Sequence, residues 1–231
     1  MVKMQGLMIV RRHLLRSLAV TGLVTLALLP LARPLFTRFM QPLWQHLPTN
    51  SQLIAVDVFS GFWVPVELSM LLALFITLPW WLLECWWWIA PGLYRSERRL
   101  LKGILCAGML LFVVGVSFAY LFVLPLMIHF LVVMAPTKLS LMPDVVIYLA
   151  FSVRLLVCFG VLFELPLVMV SLVYLQWIER ERLKRWRRYV LVGAFIIGML
   201  VAPDPLSQCL IALPLYALYE LGLCLTLKTN Y

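Results

Sequence analysis

The sequence predicts an all-α integral membrane protein of six transmembrane helices, N-in/C-in, with short helices five and six. Three observations predict it. Of 231 residues, 64% are hydrophobic and 13% charged, and mean hydropathy is +1.01. Typical soluble domains are about 45–50% apolar and about 25% charged, so this composition cannot cover a soluble surface. The apolar residues gather in stretches long enough for about 30 Å of hydrocarbon, which takes roughly 20 helical residues. The basic residues fall mostly between alternate stretches. The net charge of +9, set in this apolar background, excludes a disordered chain, a disulfide scaffold and a nucleic-acid binder, and serves orientation instead.

Span one runs from about Leu14 to Leu31. Span two covers Leu68 to Ala90 and is interrupted by Glu84. The third stretch, from Gly103 to Ala135, has no Lys, Arg, Asp or Glu and is longer than a bilayer requires, so it tilts, projects or bends at Pro125. Span four, Val145 to Leu175, carries Arg154, Glu164 and Pro166. After a basic linker, Tyr189 to Ala202 offers about fourteen residues, or some 21 Å at 1.5 Å per residue. That is short, but Pro203-Asp204-Pro205 forces a reversal and Leu206 to Leu227 can return. A short span is therefore expected rather than a re-entrant element, with local bilayer thinning around both final helices. The whole is one polytopic domain, 1–231.

Orientation follows from Lys and Arg. Lys3, Arg11, Arg12 and Arg16 precede or open span one; Arg95, Arg98, Arg99 and Lys102 separate spans two and three; Arg180, Arg182, Lys184, Arg185, Arg187 and Arg188 separate four and five; Lys228 follows six. The opposite side has only Arg33, Arg38 and Lys138, and Arg154 lies within a span. The positive-inside rule then places both termini in the cytoplasm. The first apolar run is too long for a secretory leader, and Leu31-Ala32-Arg33-Pro34 offers no small-x-small cleavage site. No 20–50-residue repeat supports an inverted-repeat transporter. Cys85, Cys106, Cys158, Cys209 and Cys224 form no CxxC pair and read as packing residues; His13, His46 and His129 are too scattered to suggest ligands. No metal or cofactor is expected.

Ionisable groups inside a membrane are expensive and so are functional candidates: Glu84, Arg154, Glu164 and Glu220. Glu164 precedes Leu165-Pro166, and the proline frees a carbonyl one turn back. A protonated carboxyl there can donate and accept, which suits docking a partner helix, or it can be satisfied within this chain's own bundle. Glu220 stands near a span end and can snorkel. The loop from Trp86-Trp87-Trp88 to Glu97-Arg98-Arg99 is crowded with aromatics, which fits an interfacial belt or a wall for docking a peptide. Glu97 is the loop's lone acid, surrounded by Arg95, Arg98, Arg99 and, just beyond the loop, Lys102. A search for catalysis is negative: Ser117 and His129 lie about 18 Å apart along one helix, and no phosphate loop or paired catalytic carboxylates occur. The chain is not expected to be an enzyme.

Four stretches carry a resemblance: Trp88-Ile89-Ala90-Pro91-Gly92-Leu93-Tyr94 through Glu97-Arg98-Arg99; Ser117-Phe118-Ala119-Tyr120 through Leu124-Pro125; Phe159-Gly160-Val161 through Phe163-Glu164-Leu165-Pro166; and Arg188-Tyr189-Val190-Leu191-Val192-Gly193-Ala194-Phe195 followed by Pro203-Asp204. With Pro42 and Pro65 in the first external loop, the chain resembles the TatC family, the multispanning subunit of the twin-arginine (Sec-independent) protein translocase. The resemblance implies a signal-peptide receptor at the bacterial inner membrane, assembling with TatA/TatB-type single-span subunits into an oligomeric receptor complex. Driven by the proton-motive force, it would export folded proteins bearing Arg-Arg signal peptides. It implies signal-peptide contacts at Glu97, Trp88, Arg11, Pro91 and Tyr94, partner docking through Glu164, Pro166, Tyr120 and Asp204, and an external cap shaped by Pro42.

This chain departs from the family in three places. The family's N-terminal glutamate is absent: Leu7-Met8-Ile9-Val10-Arg11 holds no acid, and none occurs before Asp57. Glu84 stands where glutamine is common and is expected to supply the missing charge, with a snorkelling interfacial role as the plainer alternative. Arg154 and Glu67 replace, respectively, an uncharged and a basic residue, as a charge-swapped pair would. The competing function class is a small secondary transporter using Arg154, Glu164 and Glu220 as a substrate or proton relay.

Overall fold

The computed structural model describes residues 2–46, 53–55, 59–89, 95–134, 142–202 and 204–226; the side chains of 2–10, 82, 85–89 and 95–102 are not among what it describes. The described residues are nearly all helical: α1 Val2–Leu28, α2 Ala32–Phe39, α3 Gln41–His46, α4 Ser60–Ile89, α5 Arg95–Phe118, α6 Leu124–Met134, α7 Val145–Phe163, α8 Leu165–Tyr174, α9 Arg180–Val201 and α10 Pro205–Leu225. A chain with no water to satisfy its backbone must pair every amide within the segment, and continuous helices do so. Five helical stretches, Arg11–His46, Ser60–Trp81, Gly103–Met134, Val145–Tyr174 and Pro205–Leu225, are long and apolar enough to cross a membrane. The remaining long helix, α9, devotes its first turns to the arginines of the basic linker, which leaves its apolar part short.

Prolines and glycines shape these rods. The long third stretch, expected to tilt, project or bend at Pro125, is interrupted by a π-helical turn over Ala119–Val123 between α5 and α6. Pro125 lacks an N–H and its ring would crowd the carbonyl four residues back, so the turn widens just ahead of it. The fourth stretch breaks at Glu164, where the α-helical ladder gives way to a tighter bond from the Glu164 amide to the Val161 carbonyl at 3.1 Å. Pro166 follows at the start of α8. Pro65 was expected in the first external loop; it lies instead inside α4, which begins at Ser60 and also contains Pro79.

The described chain separates into two compact units, the first comprising Met1–Gln41, Leu53–Leu105 and Asp144–Val146, and the second Pro42–Gln52, Cys106–Pro143 and Ile147–Tyr231. In the first unit α1 packs along α4 through a seam of polar side chains. Thr21 Oγ1 lies 3.0 Å from Thr77 Oγ1 and accepts from Trp81 Nε1 at 3.0 Å. Thr21 also donates to the Ser17 carbonyl one turn back, and the single Thr77 proton has Thr21 Oγ1 or the Ala73 carbonyl as its acceptor, so neither hydroxyl is stranded in the apolar seam. In the second unit backbones come close where side chains vanish. A Cβ on Gly115 would sit 2.6 Å from the Phe159 carbonyl, and one on Gly160 would sit 2.6 Å from the Phe112 ring. Phe118 closes the same contact against Phe159 and Phe163, with ring centroids 6.0 and 5.5 Å apart. Farther along this unit α10 packs against α8 and α9, over Leu162, Ala194, Ala212, Leu215 and Leu218.

Candidate functional site

The aromatic, basic loop falls at a helix-to-helix connection: α4 ends at Ile89 and α5 begins at Arg95. Trp88 occupies the last turn of α4 and Glu97 the first turn of α5. The end of α4 and the start of α5 are the rim of this connection. Pro91 and Tyr94 lie outside the described residues, and the side chains of Trp88 and Glu97 are likewise undescribed. Arg11 is described and exposed on α1.

One turn to two turns inside that rim, the structure reveals a contact the sequence reading did not anticipate. His13 Nδ1 of α1 is hydrogen-bonded to Glu84 Oε2 of α4, in the first unit. Glu84 is 3% exposed, and its other oxygen, Oε1, is buried with no hydrogen-bond partner. His13 is half-buried. The pair continues the seam of Ser17, Thr21 and Thr77 toward the Ile89 end of α4. The sequence carries only the α1 half of this signal: His13, Ser17, Thr21 and Thr25 recur every fourth residue through a span whose one charged residue is Arg16, which puts them on one helical face.

Glu164 marks the break between α7 and α8. It is half-buried, and its carboxyl faces α5 at Gly108, where an added Cβ would lie 2.9 Å from Oε2. A side chain at 108 would therefore displace the carboxyl. Among the described residues it is assigned no hydrogen bond or ion pair. Pro166 is buried in the first turn of α8, and its Cα would lie 3.1 Å from a Cβ on Gly222 of α10. Tyr120 sits half-buried in the π turn.

At the α9–α10 hairpin, Asp204 caps α10: its Oδ2 accepts from the Ser207 amide at 2.8 Å. At the other end of the same hairpin Arg187 donates to Glu220 at 2.8 Å and the Tyr219 hydroxyl donates to the Leu183 carbonyl at 2.6 Å. Glu220 is therefore a pairing residue rather than a lone snorkelling acid. On the adjoining linker a bond from Lys184 Nζ to Glu181, 2.8 Å long, holds that exposed carboxyl below the usual range. Arg154 is exposed on α7, about 15 Å of helix from Glu164. Glu67, its expected partner, is half-buried on α4 in the other unit.

Pro42 is buried at the start of α3, and its carbonyl receives His46 Nδ1 at 2.8 Å. His46 also meets His129 edge-on, with ring centroids 5.7 Å apart. Two histidines far apart in sequence are thus brought together, but among the described residues no three His, Cys, Asp or Glu side chains gather as a metal site would need.

Residues 6–214 match the family model described as Sec-independent protein translocase protein (TatC). The chain is 40% identical over 214 residues to the Sec-independent protein translocase protein TatC of Halothiobacillus neapolitanus, a match covering 92% of this chain and 58% of that relative. It is 39% identical over 213 residues to the TatC of Escherichia coli K12, covering 92% of this chain and 83% of the relative. Among solved structures, a crystal structure of the twin arginine translocase receptor TatC superimposes with a TM-score of 0.81 at 32% identity, over 98% of this chain and 100% of that one.

Proposed function

The chain belongs to the TatC family of Sec-independent protein translocase proteins, and from that premise we propose that it is the receptor subunit for Arg-Arg signal peptides of folded cargo. The observation that carries the reading is the near-complete structural match to a twin arginine translocase receptor. The family is a transport component rather than a catalytic enzyme. The reading puts both termini and the α4–α5 connection on the cytoplasmic face of the bacterial inner membrane, where fifteen of nineteen basic residues collect.

Recognition in this reading rests on geometry as much as charge. A guanidinium is planar and permanently charged, and its fork matches the two oxygens of a carboxylate, whereas an ammonium is a point charge. Glu97 at the rim takes one arginine. Trp88, Pro91 and Tyr94 supply the aromatic and rigid wall, and Arg11 borders it. Glu84 supplies the second carboxylate in place of the acid missing from the N-terminal segment. Glu164, unpaired among the described residues and flanked by Pro166, offers a hydrogen bond to a polar residue of a TatA/TatB-type single-span subunit. Tyr120 and Asp204 serve the docking side from the opposite helix ends, and Pro42 shapes the external cap. The sixth span, expected to be short, is a full 21-residue helix in α10, so the thinning beside the docked subunits falls to the short apolar part of α9, and it lowers the barrier for transient passage under the proton-motive force.

The transporter alternative is not favoured. Glu220 is committed to Arg187, and Arg154 lies about 15 Å along the helix from Glu164, so the three do not make a relay with hydrogen-bond spacing. A photocrosslinker at position 88 in native membranes tests the receptor reading: an Arg-Arg peptide is expected to crosslink selectively over its Lys-Lys counterpart, and equal crosslinking would overturn it.

A further inference from the structure

A carboxyl with one oxygen bonded and the other buried without a partner is an incomplete arrangement. Leaving a buried acceptor without a donor costs its full desolvation. Glu84 is in that state: Oε2 is taken by His13, and Oε1 has no donor. An imidazole nitrogen can fill one oxygen. A guanidinium can fill both. The pair also stands near a helix end, since Glu84 precedes the end of α4 at Ile89 by about 7.5 Å of helix rise, a distance comparable with the length of an arginine side chain. What holds α1 to α4 on the far side of the pair is the Thr21, Thr77 and Trp81 seam, so releasing His13 need not part the helices.

We propose that His13 is the resident donor on Glu84 and is exchanged for an arginine of the signal peptide when the peptide docks. The proposal deepens the receptor reading and rests on it. In the free protein His13 keeps Glu84 from standing unpaired in an apolar surround and fixes its rotamer against α1. On docking, the guanidinium trades one hydrogen bond for two and satisfies Oε1, which His13 cannot reach while it occupies Oε2. His13 is thereby a positioning residue that also sets a threshold: only a donor with a forked geometry gains enough to displace it, which adds to discrimination against lysine. The displaced imidazole, already partly exposed, swings toward solvent with the first turns of α1.

The test is a titration of the full chain in lipid nanodiscs with fluorescent Arg-Arg and Lys-Lys peptides. Glu84→Gln is expected to weaken Arg-Arg binding by about tenfold, the equivalent of one lost charge-assisted bond, and to leave Lys-Lys binding where it was. His13→Asn, too short to hold Oε2, is expected to tighten Arg-Arg binding, and the gain should vanish in His13→Asn/Glu84→Gln. Because a lone buried carboxyl can compromise folding, the apolar double variant His13→Leu/Glu84→Leu serves as a second probe. It should fold as well as the parent and bind Arg-Arg as weakly as Glu84→Gln. Unchanged binding in Glu84→Gln, or His13→Asn weakening binding as Glu84→Gln does, overturns the exchange while leaving the receptor reading intact if the parent still prefers Arg-Arg. A parent with no such preference overturns the receptor reading itself.

Discussion

The two units hold their helices together by opposite means. Between α1 and α4 the contact is made by polar side chains that reach across the gap, His13 to Glu84 and Thr21 to Thr77 and Trp81. Between α5 and α7 side chains are removed instead, so that Gly115 meets the Phe159 carbonyl and Gly160 meets the Phe112 ring, with Phe118 wedged alongside. In hydrocarbon, where apolar faces gain little by leaving lipid, both devices work. They differ in what they permit. A hydrogen bond between side chains can be exchanged for another of similar strength. A glycine contact has no substitute partner and tolerates no added atom. Recognition is therefore better placed on the first kind of contact, and a fixed frame on the second.

The difference can be broken most sharply at His13. His13→Leu strands the buried Glu84 carboxyl, and unfolding in detergent is expected to become easier by about 3 kcal/mol, with most of that restored by adding Glu84→Leu, because replacing both polar partners with apolar ones is close to neutral. At Gly115 there is no such rescue. Gly115→Ala puts a methyl 2.6 Å from a backbone oxygen and is expected to cost about 2 kcal/mol in thermal unfolding. Gly160→Ala should cost less, since the obstacle is a ring that can turn. The smallest expected effect is at the hairpin: Asp204→Ala removes the α10 cap bond to Ser207 and should cost about 1 kcal/mol, readable as faster proteolysis at the turn.

Much of this architecture is legible in the sequence, and the reason is chemical. Uncharged length reports spans directly, and the proline punctuation at Pro125, Glu164-Leu165-Pro166 and Pro203-Asp204-Pro205 coincides with the π turn, the α7–α8 break and the α9–α10 reversal. The start of α4 is less legible. Pro65 reads as a loop residue, yet the helix begins at Ser60 and carries this proline in its second turn, where one helical bond is forfeited. The site divides in the same way. Glu97 and Glu164 stand out because a lone acid in a basic loop or an apolar span has few plain explanations. The His13–Glu84 pair does not, because it depends on the register between two helices 71 positions apart in sequence, and a histidine beside three basic residues at a span's entrance looks like one more positive-inside charge. Likewise nothing in the spacing of His46 and His129 brings their rings together.

The most direct test of the receptor account is export in a cell where this chain is the only member of its family, supplied with single-span partner subunits and a folded fluorescent reporter. The account predicts that reporter behind an Arg-Arg leader reaches the far side of the membrane, that a Lys-Lys leader leaves it in the cytoplasm, and that Glu97→Gln abolishes the difference; export that ignores both the leader's arginines and Glu97 would contradict it.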